Sequence, residues 1–151
     1  MWSTEGGILW EEDYAIGMEL IDKQHKSLFF NATENLLDAI CLQGTNVPKK
    51  HCINSINFLK FYALQHFMDE ENYQRDIGYP GYEKHKEQHT NLAQEVLKYE
   101  KLLSESNFST PVIKRFSAFV LRWLTKHVAE EDKKIGQFSR ERKQAGFRLI
   151  V

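Results

Sequence analysis

Apolar positions recur every three or four residues through most of the chain, which is the period of a helix with one buried face. The first such run covers about residues 21–42 and is interrupted at 44–47, where Gly44 stands. The second begins near Pro48, a residue favoured in the first turn of a helix, and continues to about residue 76. The pattern predicts two long amphipathic helices joined by a short turn.

Two more helices are predicted in the second half of the chain. A turn at residues 77–81, which contains glycine and proline, precedes a third helix over about 82–104. A fourth follows over about 111–135, with Thr110 as its N-cap. Residues 137–151 are expected to form a short C-terminal tail, either a short helix or a loose segment.

Residues 1–20 show little periodicity and predict an extended N-terminal arm, whose Trp10 is expected to cover one end of the bundle. Strand signals are weak throughout, and short loops between long helices imply antiparallel neighbours. The expected fold is therefore all-α: an antiparallel up-down-up-down four-helix bundle. We expect one domain over 1–151, with the arm at about 1–20, the bundle at about 21–136 and the tail after it.

Composition and charge narrow the class of protein. A chain of 151 residues, 42% hydrophobic and 27% charged, suits a globular domain with a core of ordinary size. A net charge of -1 gives no electrostatic reason to expect nucleic acid or a membrane surface as a partner. No apolar stretch approaches the ~20 residues that span a bilayer, and no signal peptide is visible. We therefore expect a cytoplasmic monomer, with Cys41 and Cys52 reduced.

Five of the six histidines combine with two carboxylates at helical spacing. Histidine is scarce and is the commonest metal ligand, and residues four apart on a helix share one face. Each member also continues the apolar face of its helix, so all should point into the core. The set is His25, His66 with Glu70, His85 with His89, and His127 with Asp132. The remaining histidine, His51, lies outside the pattern and is expected at the surface.

One pair in this set does not fit a regular helix. His127 and Asp132 are five residues apart, which places them about 140° apart around an ideal α-helix. They could share a metal ion only if the helix loosens or bulges between them. Such bulges of one residue are known devices at functional sites.

A purely structural cluster is the alternative to a metal site. One histidine on an apolar face is more often a hydrogen-bonded core residue, but burying unpaired charges is costly, and Glu70 and Asp132 have no basic partner on their own inward faces.

The ligand set also bears on which metal is bound. Seven ligands exceed the four of a closed zinc site, calcium prefers oxygen ligands, and imidazole with carboxylate suits iron. Two irons bridged by Glu70 and Asp132 account for the total.

Five short stretches, in chain order, resemble the bacterial hemerythrins. Each is weak alone, but together they are specific and cover about residues 8–136. They are Trp10 with YAIG at 14–17, IDKQH at 21–25, HFMDEE at 66–71, GYP at 78–80 through His85 and His89, and WLTKH at 123–127 through Asp132.

This resemblance implies two non-haem irons with unequal ligands. One iron has three histidines, the other has two, and both share two carboxylates and a bridging oxo or hydroxo group from solvent. The resemblance assigns His85, His89 and His127 to the iron with three histidines, and His25 and His66 to the iron with two. Glu70 and Asp132 are the two shared carboxylates. The first iron then has six ligands and the second five, which leaves one position for dioxygen.

The resemblance implies reversible dioxygen binding for storage, delivery or buffering, rather than an enzyme, with an unidentified redox or oxygen-consuming partner. An oxygen-sensing module acting in trans and a di-iron enzyme that scavenges peroxide or nitric oxide remain alternatives. Residues one helical step from a ligand are expected to line an apolar oxygen pocket that limits water and protons, although they would equally serve as core: Phe29, Phe67, Trp123, Leu124 and Val128. Gln74 stands where these proteins often have methionine, and would add a polar group if it points inward.

Overall fold

The computed structural model describes residues 10–41 and 49–150, with side chains described over 10–36 and 49–146. Four long helices occupy these residues. Helix α1 is Glu19–Cys41 and helix α3 is Tyr82–Glu105. Helix α2 consists of Lys49–Phe58, a π-helical turn Leu59–Ala63 and a further α-helical segment Leu64–Ile77. Helix α4 consists of Thr110–Lys126, a π-helical turn His127–Asp132 and the segment Lys133–Ile150.

The helices form a bundle in which neighbours in sequence are neighbours in space. Helix α1 packs against α2 and α4, and α3 packs against the same two helices. The connections at 78–81 and 106–109 are too short for anything but antiparallel pairs. Over the described ranges the structure contains no β-strand and no helix long and apolar enough to cross a membrane. The predicted all-α bundle is confirmed.

The core is built from the inner faces that the spacing of three and four predicted. Its largest side chains include Phe29, Leu36 and Phe116, all fully buried. Further members come from every helix and include Leu28, Ala32, Ile56, Leu59, Ala63, Leu92, Val96, Leu103, Ile113, Val120 and Leu124. The expected inward positions 39 and 40 lie outside the described side chains.

The turn between α2 and α3 is fixed by a glycine. Gly78 has a φ of +71°, a left-handed conformation that side chains disfavour and that commonly ends a helix. Its N–H donates to the carbonyl of Arg75 at 3.1 Å, and the N–H of Tyr79 donates to the carbonyl of Gln74 at 2.8 Å. The turn predicted at 77–81 is therefore confirmed.

The arm is described from Trp10 onwards and includes a 3-10 turn at Glu12–Tyr14. Trp10 is buried, and its ring packs edge-on against Phe29 of α1 with centroids 6.0 Å apart. Further along, Ile16 lies against Gly136 of α4, where a Cβ would stand 2.8 Å from the Ile16 Cα. The arm therefore packs along the bundle. Its remaining apolar residues, Trp2, Ile8 and Leu9, lie outside the described residues.

Two boundary predictions for the fourth helix are wrong. The helix includes Thr110, so the N-cap position falls to Ser109. At the other end, α4 does not stop near residue 135 but continues to Ile150. The added part docks on the α2–α3 turn: Phe138 packs edge-on against Tyr79 at 5.6 Å, and Arg142 donates a hydrogen bond to the carbonyl of Ile77. This packing extends the helix beyond the apolar pattern that marked its start.

Cys52 lies buried in α2 and is not in a disulfide. Burial raises the pKa of its thiol to about 11, so the side chain stays a neutral thiol at ordinary pH. These features fit the reduced, structural role expected for it. The side chain of Cys41 lies outside the described residues.

Candidate metal centre

The seven side chains of the predicted set lie together in the core of the bundle. Each is at most 5% exposed. Helix α1 contributes one of them and each other helix contributes two, so the cluster exists only when all four helices are assembled. In chain order they are His25; His66 and Glu70; His85 and His89; and His127 and Asp132.

Their donor atoms form two overlapping sets that share both carboxylates. Within each set, one donor atom from every residue lies within 4.8 Å of the others. The larger set has three histidines and the smaller has two. The larger is His85, His89 and His127 with Glu70 and Asp132, and the smaller is His25 and His66 with the same two acids. This arrangement can hold two cations with two carboxylates between them.

Glu70 lies between the two sets, with one carboxylate oxygen towards each. Its Oε1 is 2.7 Å from His85 Nε2 and 3.2 Å from His89 Nε2. Its Oε2 is 3.0 Å from His25 Nε2 and 3.5 Å from His66 Nε2. A carboxylate divided in this way is placed to bridge two ions.

Asp132 is divided in the same way. Its Oδ1 is 2.8 Å from His85 Nε2 and 3.1 Å from His127 Nε2, and its Oδ2 is 3.1 Å from His25 Nε2. Despite these short distances, neither oxygen forms a well-directed hydrogen bond, although both are fully buried. A cation is a partner that suits such oxygens, because buried polar atoms are rarely left unsatisfied.

Ring nitrogens also face one another across the larger set. His127 Nε2 lies 3.1 Å from His85 Nε2 and 3.2 Å from His89 Nε2. Three nitrogens that share one space are best satisfied when each offers a lone pair to the same cation. Imidazole combined with carboxylate suits iron and similar transition metals, so the donors present fit the ion that the sequence predicted.

A bulge in α4 brings its two donors onto one face. Residues His127–Asp132 form a π-helical turn, in which backbone hydrogen bonds span five residues instead of four. Side chains five apart therefore lie close together around the axis. The bulge that the spacing of His127 and Asp132 required is confirmed.

The two carboxylates are ionised in spite of their burial. Burial and the charge of Asp132 favour a proton on Glu70, but His66, His25 and His85 together hold the pKa of Glu70 well below its usual range. Burial likewise opposes ionisation of Asp132, and His127 and His25 outweigh it, so the pKa of Asp132 also lies well below its ordinary value.

The histidines respond unequally to these charges. Burial alone would lower the pKa of His25, but Asp132 and then Glu70 raise it to about 10, and the same two acids overcome burial at His85 to give a pKa of about 10. Burial lowers the pKa of His66 to about 3. The metal-free cluster thus balances two buried negative charges with protons, and a bound cation would displace those protons.

Two polar side chains outside the predicted set, Gln24 and Glu71, contact ligand rings from behind, and a third, Asp69, holds Gln24 in place. Gln24 Oε1 lies 2.9 Å from His66 Nδ1, and Gln24 Nε2 lies 2.8 Å from Asp69 Oδ2. Glu71 Oε2 lies 3.0 Å from His89 Nδ1. None of these three residues was predicted from the sequence. The available signal was their position directly beside His25 or Glu70.

Two aromatic rings stack on imidazoles of the larger set. Phe67 is buried, and its ring lies parallel to that of His89 with centroids 3.9 Å apart. Trp123 is half-buried and stacks on His127 at 4.2 Å. These contacts restrict the rotation of both imidazoles and shield one face of each from water.

The other residues expected to line an oxygen pocket are also buried. Phe29, Leu124 and Val128 belong to the hydrophobic core. Gln74 is fully buried on α2, one helical turn beyond Glu70, and neither polar atom of its amide has a hydrogen-bond partner among the described residues. His51 lies on α2, half-buried rather than fully exposed, and takes part in neither donor set.

The chain matches one protein family over most of its length. The family model of the hemerythrin HHE cation-binding domain matches residues 16–138, a range that contains all seven clustered side chains. The chain belongs to the hemerythrin family. The family resemblance inferred from five short stretches is therefore confirmed. Hemerythrins bind dioxygen with non-haem iron, and the clustered donors of this hemerythrin could hold a metal.

Individual relatives of this hemerythrin include two bacteriohemerythrins and a hemerythrin subunit. This hemerythrin is 29% identical over 132 residues to the bacteriohemerythrin of Campylobacter jejuni, and the aligned stretch covers 87% of this chain and 95% of the relative. It is 28% identical over 127 residues to the bacteriohemerythrin of Clostridium acetobutylicum, and here the aligned stretch covers 83% of this chain and 95% of the relative. The hemerythrin subunit alpha of Lingula reevii is 26% identical over 123 residues, which are 82% of this chain and 87% of the relative.

Proposed function

We propose that this hemerythrin binds dioxygen reversibly at two iron ions, for oxygen storage, delivery or buffering. The observation that carries the proposal is the inequality of the two donor sets. Five side chains converge on one position and four on the other, with Glu70 and Asp132 common to both. The ion held by His25 and His66 therefore has fewer protein donors than its neighbour and keeps room for a small ligand.

Iron, when bound, supplies the electrons that dioxygen binding draws on, and the chain controls what else reaches the site. Phe67 and Trp123 cover ring faces of His89 and His127. Phe29, Leu124 and Val128 add apolar surface in the same core. Such a lining limits the access of water and protons, which favours release of unchanged oxygen over irreversible oxidation of the metal.

The first test is iron content together with optical spectra of the reduced protein. We expect two irons per chain, a new absorption band on exposure to air, and loss of that band under argon through repeated cycles. Zinc in place of iron, a single iron per chain, or immediate irreversible oxidation would each contradict the proposal.

A matched pair of variants tests the assignment of the smaller donor set. His66→Gln removes one of its two imidazoles and should abolish the oxygen band. His51→Gln makes the same chemical change on the same helix, outside both sets, and should leave the band intact. If the two variants lose oxygen binding equally, the assignment of His66 is wrong.

A further inference from the structure

Two of the clustered histidines are backed by different kinds of hydrogen-bond acceptor. The Nδ1 of His89 lies 3.0 Å from a carboxylate oxygen of Glu71. The Nδ1 of His66 lies 2.9 Å from the amide oxygen of Gln24. A carboxylate carries a full negative charge and an amide does not, so the two imidazoles are polarised to different extents.

The orientation of the Gln24 amide is fixed by its other neighbour. Asp69 can only accept hydrogen bonds, so the amide nitrogen of Gln24 must be the group that lies 2.8 Å from Asp69 Oδ2. The amide oxygen therefore faces His66, whose Nδ1 must donate. This leaves His66 Nε2 without a proton and directed at Glu70 and the site. Gln65 Nε2 binds the other Asp69 oxygen at 3.1 Å and holds that carboxylate in place.

The same reasoning applies to the other ring. Glu71 accepts from Nδ1–H of His89, which leaves the Nε2 of that ring free to bind a cation. The Glu71 side chain is only 16% exposed and Gln24 is 7% exposed. Because both acceptors are largely shielded from water, solvent does not level the difference between a charged acceptor and a neutral one.

We infer that Gln24 and Glu71 are positioning residues that make the two metal positions unequal in redox behaviour, as they are already unequal in number of donors. The inference rests on the proposed di-iron function. An imidazole bound to a carboxylate is a stronger electron donor and stabilises the higher oxidation state of its metal. The iron at His89 should therefore be oxidised at a lower potential than the iron at His66. The neutral Gln24 favours the ferrous state where oxygen is expected to bind.

Exchanging the two acceptors tests this inference. Glu71→Gln removes the charge behind His89 and keeps an acceptor. Gln24→Glu combined with Asp69→Asn adds a charge behind His66, and the asparagine amide can donate to it, so net charge and hydrogen bonds are conserved. In the iron-loaded protein we expect E71Q to raise the lower of the two one-electron potentials and Q24E/D69N to lower the higher one. A tenfold change in the ratio of ferric to ferrous affinity corresponds to about 59 mV.

The pattern of shifts separates this role from a general effect of charge. Both changes should narrow the gap between the two potentials, while the mean potential moves in opposite directions. Glu87→Gln is the control for E71Q, because it loses the same charge from an exposed position on α3. Equal shifts in E71Q and E87Q, or movement of the mean in the same direction in both exchanges, would overturn the inference.

A second measurement needs no iron. Gln24→Leu and Glu71→Leu remove the acceptors, and each should weaken Zn²⁺ binding to one of two sites in the metal-free protein by about 10–100-fold. Circular dichroism checks that the helices persist, and unchanged affinity in both variants would refute the positioning role. If the native protein holds two irons without releasing oxygen, only the proposed function fails. If it binds oxygen reversibly but the potentials do not respond, only this inference fails.

Discussion

Gln74 is a fully buried side chain with two polar atoms and no hydrogen-bond partner among the described residues. It lies one helical turn beyond Glu70, at a position where bacterial hemerythrins often have methionine. Leaving a buried amide unsatisfied costs about 1–3 kcal/mol, more than most exposed substitutions change. The amide therefore weakens the core beside the candidate metal centre.

Replacing Gln74 with methionine should stabilise the metal-free protein. The new side chain has similar length and no hydrogen-bonding group, so Gln74→Met should raise the free energy of unfolding by about 1–3 kcal/mol. Urea denaturation followed by circular dichroism measures the change. Gln94→Met, an exposed substitution on α3, should have little effect. A marked loss of stability in Q74M would show that the amide is satisfied in solution, contrary to this prediction.

Individual donors could be predicted from the sequence, but the residues behind them could not. Histidine is rare enough that five in register with two acids stand out. Gln24 and Glu71 are polar residues beside a ligand on an amphipathic helix, and in sequence they look like surface positions. Whether they reach His66 and His89 depends on how α1 approaches α2 and how α2 approaches α3, which the spacing along one helix does not determine.

At the scale of whole elements, the two π-helical turns differ in how visible they are in the sequence. The turn at His127–Asp132 was predicted because two donors five apart must share a face. The turn at Leu59–Ala63 was not, because its buried residues, Leu59 and Ala63, are four apart and continue an ordinary apolar pattern. A bulge is predictable only where chemistry requires the displaced side chain.

The contact between the arm and α4 depends on a glycine. A Cβ at position 136 would stand 2.8 Å from the Cα of Ile16. Overpacking costs about 1–3 kcal/mol and the gain in helix propensity returns about 1 kcal/mol, so Gly136→Ala should lower the free energy of unfolding by up to about 2 kcal/mol. Thermal unfolding followed by circular dichroism measures the loss.

A second glycine in the same helical segment provides the control. Gly146 is exposed, with nothing within 4 Å of an added Cβ. Gly146→Ala should leave stability unchanged or raise it by up to about 1 kcal/mol. If both substitutions have the same effect, the close approach of Ile16 to Gly136 does not constrain the fold.

For the molecule as a whole, the candidate metal centre is also a junction, because all four helices supply donors to it. An ion bound there opposes separation of any helix from the others. It also relieves the charge of two buried carboxylates, which the metal-free protein must balance with protons. Metal binding and bundle stability should consequently be coupled.

Metal removal should lower the melting temperature substantially. At 1,000 times its dissociation constant, an ion bound only to the folded state adds about 4 kcal/mol. For a chain of this size, that stabilisation corresponds to a rise in melting temperature of about 8–16 °C for each site. Chelator-treated protein should therefore melt well below protein supplied with Zn²⁺. Mg²⁺ is the control ion and should give no rise, because it prefers oxygen ligands. No rise with Zn²⁺ would contradict the coupling, and an equal rise with both ions would show that the stabilisation does not come from the histidine-containing centre.

The overall architecture was predictable because four long runs with helical period leave few ways to bury their apolar faces. The extent of α4 was not predictable, since Phe138 and Arg142 in its last part pack against the α2–α3 turn, a contact between distant parts of the chain. Local periodicity reports burial against a large core and misses a helix that rests on a few distant contacts.

The π-helical turn in α4 also sets the rotational phase of everything that follows it. If residues 127–132 formed a regular α-helix with no residue removed, Lys133–Ile150 would be rotated by about 100° relative to the bundle. Phe138 and Arg142 would then face away from the turn they bind, at the same time as Asp132 left the donor set. Removing one residue from the turn would instead place His127 and Asp132 four apart on a regular helix, where they share one face. The phase of Lys133–Ile150 would then stay nearly unchanged, so a descendant of this chain can lose the turn only together with one of its residues.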